Sequence, residues 1–347
     1  MQVLRVTPGS PVPARLVGAV LARDLTVAGV RWSKGRRLSV DDLEVIARAD
    51  PDQPVTVLLP DQGEIHEDDA AVRLASAVAG PGVVPRGPAE SRLDLLADVD
   101  GVLNVRVADL ERLNRIDPLE VFTVFDGQVV ARGDLVGSVK IAPHLVAIAT
   151  VEAGAGIARN GSRPLVWVAP FLPRGVGVIV KESVRGIARE RFEASVRAKI
   201  EGLGSVIVAI DYMDDDASAV EAAMARFVRG RDRVDLILTA GAASTDPLDA
   251  CFVAIDALGG RVVRRGVPAH PGSMLWLARI GSIAILGLPT CGAYSKATAA
   301  DLLLPRLLSG DPPTARTVAK LGHGGILTRS QRFRFPAYAR ELDAPDG

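Results

Sequence analysis

The chain has 347 residues, of which 48% are hydrophobic, and it carries 41 basic against 41 acidic residues. This length suits one large or two ordinary domains with ample core. The neutral charge balance excludes a general electrostatic attraction to nucleic acid or to an anionic membrane surface. The chain opens without a signal-peptide pattern, no apolar stretch is long enough for a membrane helix, and the two cysteines form no zinc-type cluster. We therefore expect a soluble cytoplasmic protein with reduced thiols.

Two helices are predicted in the first half of the chain, among short strands and turns. A start signal at Ser39 predicts a helix that runs through Ile46. Residues 64–79 have the spacing of an amphipathic helix. Its predicted apolar face contains Ala70, Leu74 and Val78.

Short alternating runs follow, and turn signals divide them. The Asp-Gly pairs at residues 100–101 and 126–127 are typical of hairpins. The stretch from Val151 to Pro164 is rich in Ala, Gly and polar residues, so we interpret it as a linker. The sequence predicts a β-rich α+β domain over residues 1–165.

After residue 165 the pattern changes to apolar strands that alternate with helices. The strands are predicted at 175–180, 204–210, 234–239 and 283–287, and the helices at 188–203, 216–228 and 247–258. A last helical pattern ends within residues 303–310. Continuous apolar strands separated by helices indicate a mostly parallel sheet covered on both faces, a three-layer α/β/α domain over 166–310. Residues 311–347 are left as a C-terminal tail. In such sheets ligands bind beyond the carboxyl ends of the strands.

The loop Thr239–Asp249 follows a buried strand directly. Its small residues allow a close backbone approach, its hydroxyls offer hydrogen bonds, and Asp246 or Asp249 could hold Mg²⁺ or orient a polar group. The alternative is a helix start, with Thr245 or Asp246 as N-cap and Pro247 in the first turn. The two roles can coexist.

A second loop, Leu288–Lys296, joins a buried strand to the last predicted helix. A helix N-terminus favours anions, and Ser295 and Lys296 could contact phosphate. Cys291 is either close to a ligand or simply a small, half-buried turn residue. The turn at His270–Gly272 could line the same site through its backbone, with His270 more simply explained as structural.

Other patterns argue against competing functions. No GxxxxGK[ST] loop occurs, and the glycines at 154, 156 and 161 lack the spacing of a dinucleotide fingerprint, which disfavours a P-loop NTPase or a nicotinamide dehydrogenase. The acidic residues at 211 and 214–216 either help to hold a cation or begin a solvated helix. Arginines and aromatics alternate over 329–340, and we interpret that segment as packed on its own domain or on a partner rather than on nucleic acid.

Four stretches carry a family resemblance. They are Asp235-Leu-Ile-Leu-Thr-Ala-Gly241 with Asp246, Pro271-Gly272, Leu286-Gly-Leu-Pro289 and Leu304-Pro-Arg-Leu-Leu-Ser-Gly310. In order and spacing they resemble the molybdopterin-binding domain of molybdenum cofactor biosynthesis proteins. The first half is similar to the molybdopterin molybdenumtransferase family, and the loop 288–296 looks closer to a subgroup often fused to a cytidylyltransferase-like domain.

The resemblance implies a site and a reaction. In the family, adenylylated molybdopterin is bound, Mg²⁺ and molybdate enter, and the nucleotide is released. Carried over to this chain, Asp246 is the expected metal ligand and catalytic residue, with Glu182 and Asp249 behind it. The expected cofactor-binding residues are Thr239, Gly241, Ser244, Thr245, Gly272, Pro289, Cys291, Gly292, Ser295 and Lys296.

The chain departs from the family pattern at three positions, and these departures leave both a binding role and a catalytic role open. The chain has Thr239-Ala-Gly241 where the family has Thr-Gly-Gly, Pro289-Thr-Cys-Gly292 where it has Pro-Gly-Asn-Pro, and Val180-Lys-Glu-Ser183 where it has Thr-Gly-Asp/Ser-Glu. The first interpretation is molybdenumtransferase-like insertion of molybdate. The second is a non-catalytic carrier that serves a cytidylyltransferase or an apo-molybdoenzyme, and the third is a generic nucleotide-binding α/β protein. The family resemblance also implies a homo-oligomer.

Overall fold

A computed structural model of the chain describes residues 1–27, 29–50, 54–89, 91–181, 186–241, 245–288 and 297–340. The chain forms two compact units. The first unit contains Met1–Val99, Asn104–Asp126 and Ala131–Val168, and the second contains Asp100–Leu103, Gly127–Val130 and Ala169–Gly347. The domain boundaries at residues 165 and 310 stay predictions. Among the helices of the described residues, none combines the length and the apolar character needed to cross a membrane.

The strands, in chain order, have the following bounds: β1 Gln2–Val6, β2 Val20–Leu21, β3 Leu25–Val27, β4 Val30–Trp32, β5 Val55–Leu59, β6 Glu64–His66, β7 Val83–Ala89, β8 Arg92–Ala97, β9 Gly101–Val105, β10 Leu119–Thr123, β11 Val129–Val130, β12 Leu135–Ile141, β13 Leu145–Ala147, β14 Val166–Pro170, β15 Gly175–Val180, β16 Val206–Tyr212, β17 Leu236–Ala240, β18 Arg261–Arg265, β19 Trp276–Ile280 and β20 Ile283–Leu288.

The helices are α1 Val40–Ala47, α2 Glu67–Val78, α3 Val107–Leu113, α4 Ile148–Arg159, α5 Ile187–Glu201, α6 Ala217–Arg229, α7 Ala250–Ala257, α8 Ala300–Leu308, α9 Ala315–Ala319 and α10 Ala337–Arg340. Short 3₁₀ turns lie at Ala14–Leu16, Lys320–Gly322 and Arg329–Arg334.

The first unit contains small antiparallel sheets and helices, as its predicted α+β class requires. Its largest sheet has the strand order β10-β12-β8-β7. Helix α2 packs on this sheet, and the predicted apolar face of α2 is fully buried at Ala70, Leu74 and Val78. Helix α1 begins after Ser39 as predicted, because Ser39 and Asp42 form a capping box.

The predicted linker at 151–164 is wrong, because most of it belongs to helix α4. Alanine has the highest helix propensity and is frequent in this segment. Gly154 sits where a side chain would press on Leu119, and its neighbour Ala155 is fully buried. The small residues that suggested a linker are therefore those of a closely packed helix.

Neither Asp-Gly pair makes the predicted hairpin. Asp100 precedes β9 and Gly101 begins it, whereas residues 126–127 lie between β10 and β11. In both cases the strands before and after the pair belong to different sheets. Long-range pairing decided the partners here, as it often does for short strands.

The second unit is built on a six-stranded sheet of order β16-β15-β17-β20-β19-β18. The first four strands are parallel, and β19 and β18 continue the sheet in antiparallel pairings. The predicted mostly parallel sheet is confirmed. The antiparallel edge, β18 and β19, was not predicted.

Two apolar clusters cover the two faces of this sheet. On one face Phe192 of α5 and Leu303 of α8 pack among strand residues. On the other face Phe227 of α6 and Phe252 of α7 do the same. These layers make the predicted three-layer α/β/α architecture.

The Arg/aromatic segment packs on its own unit, one of the two outcomes predicted for it. Phe335 and Ala339 are buried in the same cluster as α5 and α8, and Tyr338 packs against that cluster. Burial, together with the nearby Asp301 carboxylate, raises the pKa of the Tyr338 phenol well above its ordinary value.

Candidate functional site

The carboxyl ends of the four parallel strands of the second unit lie side by side. Val180 pairs with Tyr212 on one side and with Ala240 on the other, and Ala240 pairs with Leu288. These are the last residues of β15, β16, β17 and β20. The loops predicted to bind a ligand therefore all leave the sheet at one edge, where α/β sheets bind their ligands.

Lys181 follows β15 directly and lies in a buried ionic cluster. Its backbone N–H donates to the Ala240 carbonyl at 3.0 Å. Its ammonium Nζ donates to Asp215 Oδ1 at 2.6 Å and to Asp249 Oδ2 at 2.8 Å. The Lys181 and Asp249 side chains are 1% and 3% exposed, whereas that of Asp215 is 64% exposed.

The charge of this lysine is set by two opposing effects. Burial by itself lowers the pKa of an ammonium, but the hydrogen bonds to Asp215 and Asp249 outweigh burial and raise the pKa of Lys181 above its ordinary value. Lys181 is therefore a permanent cation at neutral pH.

Asp249, and not Thr245 or Asp246, is the N-cap of helix α7. Its Oδ1 accepts the Cys251 backbone N–H at 2.9 Å, while its other oxygen faces Lys181. Asp246 is exposed and closes a turn before the helix, with Oδ1 accepting the Leu248 backbone N–H at 2.8 Å. The predicted cap was wrong because Pro247 and Leu248 continue the turn instead of beginning the helix.

Thr239 of β17 and Cys251 of α7 are buried in the interior of the second unit. Thr239 is fully buried within β17 and pairs with Gly287 of β20. Cys251 is also fully buried, and burial, with a smaller contribution from the Asp249 carboxylate, raises the pKa of its thiol to about 12. Such a thiol is inert at neutral pH.

Two of the predicted cofactor-binding glycines have backbone conformations that favour glycine. Gly241 has φ +85° and its N–H donates to the Leu288 carbonyl at 3.2 Å. Gly272 has φ +111°, and a Cβ there would lie 2.8 Å from the Ala299 nitrogen, just before α8. Gly241 thus brings its backbone close to the end of β20, and Gly272 brings its backbone close to the start of α8.

The remaining predicted site residues divide into two groups. Thr245 is exposed at the start of the turn before α7. The others lie outside the described residues: Glu182, Ser244, Pro289, Cys291, Gly292, Ser295 and Lys296.

The acidic residues at the end of β16 and directly after it have different partners. Asp211 is paired with Arg226, and Asp216 caps α6 by accepting the Ala219 N–H at 2.8 Å, as expected of a helix start. Asp215 instead joins the Lys181 cluster. Sequence reasoning missed Lys181, although its place directly after a buried strand was a usable signal.

Asp249, one of the carboxylates expected to hold Mg²⁺, has no oxygen available for the ion. Both oxygens of Asp249 already accept hydrogen bonds, and one of the donors is an ammonium. Asp246 uses one oxygen in its own turn. In the described part of the chain, no group of three or more His, Cys, Asp or Glu side chains is arranged to hold a metal.

A comparison with protein families identifies the class of the second unit's sheet. Residues 176–309 match a family model described as a probable molybdopterin binding domain. The predicted molybdopterin-binding domain, of the kind that occurs in molybdenum cofactor biosynthesis, is therefore confirmed for these residues.

Solved structures give likenesses at low identity. The molybdopterin biosynthesis enzyme MoaB of Thermus thermophilus is 23% identical, over 40% of this chain and 98% of that one, with a TM-score of 0.28. The molybdopterin biosynthesis protein MoeA of Pyrococcus horikoshii is 14% identical, over 71% and 81%, with a TM-score of 0.29. A molybdopterin biosynthesis protein of Mycobacterium abscessus is 17% identical, over 44% and 98%, with a TM-score of 0.29. No match was found among curated proteins.

Proposed function

We propose that this chain is a molybdopterin-binding protein of molybdenum cofactor biosynthesis, and that the phosphate-bearing pterin binds at the carboxyl edge of the second unit's sheet. The observation that carries the proposal is the alignment of Val180, Ala240 and Leu288, which brings the loops after β15, β17 and β20 to one edge. That edge lies within the residues that match the molybdopterin-binding model.

Two activities are compatible with such binding. The family resemblance implies molybdenumtransferase-like insertion of molybdate into adenylylated molybdopterin, with Asp246 as the metal ligand. The ion pair between Lys181 and Asp249 favours the second activity, a carrier that passes the cofactor to a cytidylyltransferase or to an apo-molybdoenzyme. In a carrier, no carboxylate at the edge has to be available to a divalent cation.

Binding is tested by titrating the protein with anaerobically prepared molybdopterin and following the pterin fluorescence. We expect saturable binding by the full chain. We also expect Lys296→Ala to weaken it by about tenfold or more, because a charged contact to phosphate is lost. Lys140→Ala, on strand β12 of the first unit, is the matched control and should bind normally. Absence of molybdopterin binding together with binding of ATP or NAD would instead support a generic nucleotide-binding protein.

The two activities are separated by a turnover assay. Adenylylated molybdopterin is incubated with the protein, Mg²⁺ and molybdate, and AMP release is measured. A carrier binds the compound and releases no AMP above the rate without protein. Mg²⁺- and molybdate-dependent AMP release that Asp246→Ala abolishes would establish the transferase and reject the carrier.

A further inference from the structure

Lys181 holds a central position among the segments that meet at the carboxyl edge. It follows β15, its partner Asp215 follows β16, and its other partner Asp249 precedes α7. The backbone N–H of Lys181 is bonded to Ala240 at the end of β17, so the residue is fixed to the sheet on which it stands. One buried cation therefore connects the ends of three neighbouring segments.

The geometry around the ammonium is that of a cation between two carboxylates. Its nitrogen is 2.6 Å from one carboxylate oxygen and 2.8 Å from the other. In sites where a phosphate ligand is bound through Mg²⁺, one or two carboxylates hold the ion on the protein side. Here a lysine occupies the space between the carboxylates, and no divalent ion can bind both of them unless the ammonium leaves.

Displacing that ammonium is unfavourable for two reasons. The ammonium donates to both aspartates, and leaving the pair would break both charge-assisted hydrogen bonds. The Lys181 side chain is also only 1% exposed, so its charge is stabilised by the two carboxylates rather than by water. The carboxylate pair is consequently closed to a second cation.

We propose that Lys181 takes the place of a divalent cation at this edge, and that the chain binds its phosphate-bearing pterin without Mg²⁺. This inference rests on the proposed binding function, and it adds that this binding does not require Mg²⁺. It also explains why a lysine stands where the resembling family has glycine: with glycine at this position, Asp215 and Asp249 would face each other with no ammonium between them.

The first test uses the free protein and Mg²⁺ alone. Isothermal titration calorimetry with MgCl₂ should show no binding to the unmodified chain. Lys181→Gly restores the residue of the resembling family and removes the ammonium from between the two carboxylates, so it should bind Mg²⁺ measurably. The double variant Lys181→Gly/Asp249→Asn removes one of the two ligands and should lose that binding. Mg²⁺ binding by the unmodified chain that Asp249→Asn removes would overturn the inference.

The second test measures molybdopterin affinity in EDTA and again in excess Mg²⁺. For the unmodified chain the two dissociation constants should agree within about twofold, whereas for Lys181→Gly the affinity in EDTA should be about tenfold lower and should recover with Mg²⁺. A tenfold loss for the unmodified chain in EDTA contradicts the inference. Failure to bind molybdopterin under either condition contradicts the proposed function instead, and the calorimetry with Mg²⁺ still tests the role of Lys181.

A separate control tests whether the variants fold. Lys181→Gly takes the ammonium away from the buried Asp249, and removing one partner of a buried ion pair is strongly destabilising. Lys199→Met is the matched control, because Lys199 and Asp301 form another buried lysine–carboxylate pair in the same unit. It should destabilise the fold and leave the Mg²⁺ response unchanged. If circular dichroism shows that Lys181→Gly does not fold, the comparison of EDTA with Mg²⁺ on the unmodified chain decides the question.

Discussion

Burial determines what the polar side chains around β17 can do. Asp249 and Cys251 are almost neighbours in sequence, and both are buried at the start of α7. The Asp249 carboxylate accepts hydrogen bonds from the Lys181 ammonium and from the Cys251 N–H, whereas burial raises the pKa of the Cys251 thiol to about 12 and keeps it protonated. The two side chains therefore differ in their polar partners although both are buried at the start of the same helix.

Cys251 should be unreactive in the folded protein. Its pKa of about 12, against an ordinary 9.0, lowers the thiolate fraction at pH 8 by about 1,000-fold, and its sulfur is also inaccessible. In a Cys291→Ser background, iodoacetamide should label Cys251 only after denaturation, as measured by mass spectrometry. Labelling of the native protein within minutes would contradict this prediction.

At the scale of elements, helix α1 shows how a local signal fixes a boundary. Ser39 Oγ accepts the Asp42 N–H at 3.2 Å, and Asp42 Oδ2 accepts the Ser39 N–H at 3.0 Å. Arg36 also donates to Asp42 at 2.8 Å. All of these residues lie within a short stretch of chain, so the sequence alone predicted the start of this helix.

The capping box should make α1 sensitive to acid. Burial raises the pKa of Asp42, but Arg36 and Ser39 outweigh it, so the folded pKa lies below the ordinary 3.8. The stabilisation is therefore present above pH 3.8 and is lost as the pH falls through the folded value. At pH 7, Asp42→Asn should lower the free energy of unfolding by about 1–3 kcal/mol. Urea titrations should show this difference shrinking toward pH 3.

Ser39→Ala serves as the matched control for this titration. It removes an uncharged cap acceptor and should cost about 1 kcal/mol with little dependence on pH. A deficit of Asp42→Asn that stays constant from pH 7 to pH 3 would contradict the assignment of the pH effect to Asp42.

At the scale of elements, the sequence did not predict every strand, because the pairing of a strand with its neighbours is not visible in its composition. The strands of the parallel sheet are continuous apolar runs, and they were predicted close to their observed positions. Strand β18 has the sequence Arg-Val-Val-Arg-Arg, and its Arg261 pairs with Arg279 of β19. Charged residues mask such an edge strand, because only its pairing, and not its composition, makes it part of a sheet.

The scale of the whole molecule explains why the ionic cluster was missed. Lys181 is 34 residues from Asp215 and 68 residues from Asp249 in sequence. No local pattern connects positions so far apart, and only the register of the strands brings them together. The carboxyl edge of the sheet was predictable from the alternation of strands and helices, but the pairing of Lys181 with Asp215 and Asp249 at that edge was not.

The packing of residues 329–340 on the second unit should contribute to stability. Phe335 is 3% exposed in the cluster that also contains residues of α5 and α8. Phe335→Ala should lower the free energy of unfolding by about 3–5 kcal/mol. The buried Trp276 reports unfolding of this unit by fluorescence in urea, in a background with Trp32 and Trp167 replaced by Phe.

Phe333→Ala is the control for that measurement, since Phe333 is 41% exposed. Phe333→Ala should lower the free energy of unfolding by less than about 1 kcal/mol. Equal losses for the two variants would show that the segment does not contribute to the core of the unit.

The parallel strands end at aligned residues, and this has a consequence for which positions can be substituted without disturbing the sheet. Residues before that line, such as Val178 and Leu238, are fixed by ladder register and by the two apolar layers. Residues beyond it, such as Lys181 and Asp215, belong to no ladder. A charge can change there while the sheet keeps its pairing, but the buried pair of Lys181 with Asp249 also contributes to stability. Under the proposed role of Lys181, a single exchange at this position changes the metal requirement without a change in the pairing of the sheet.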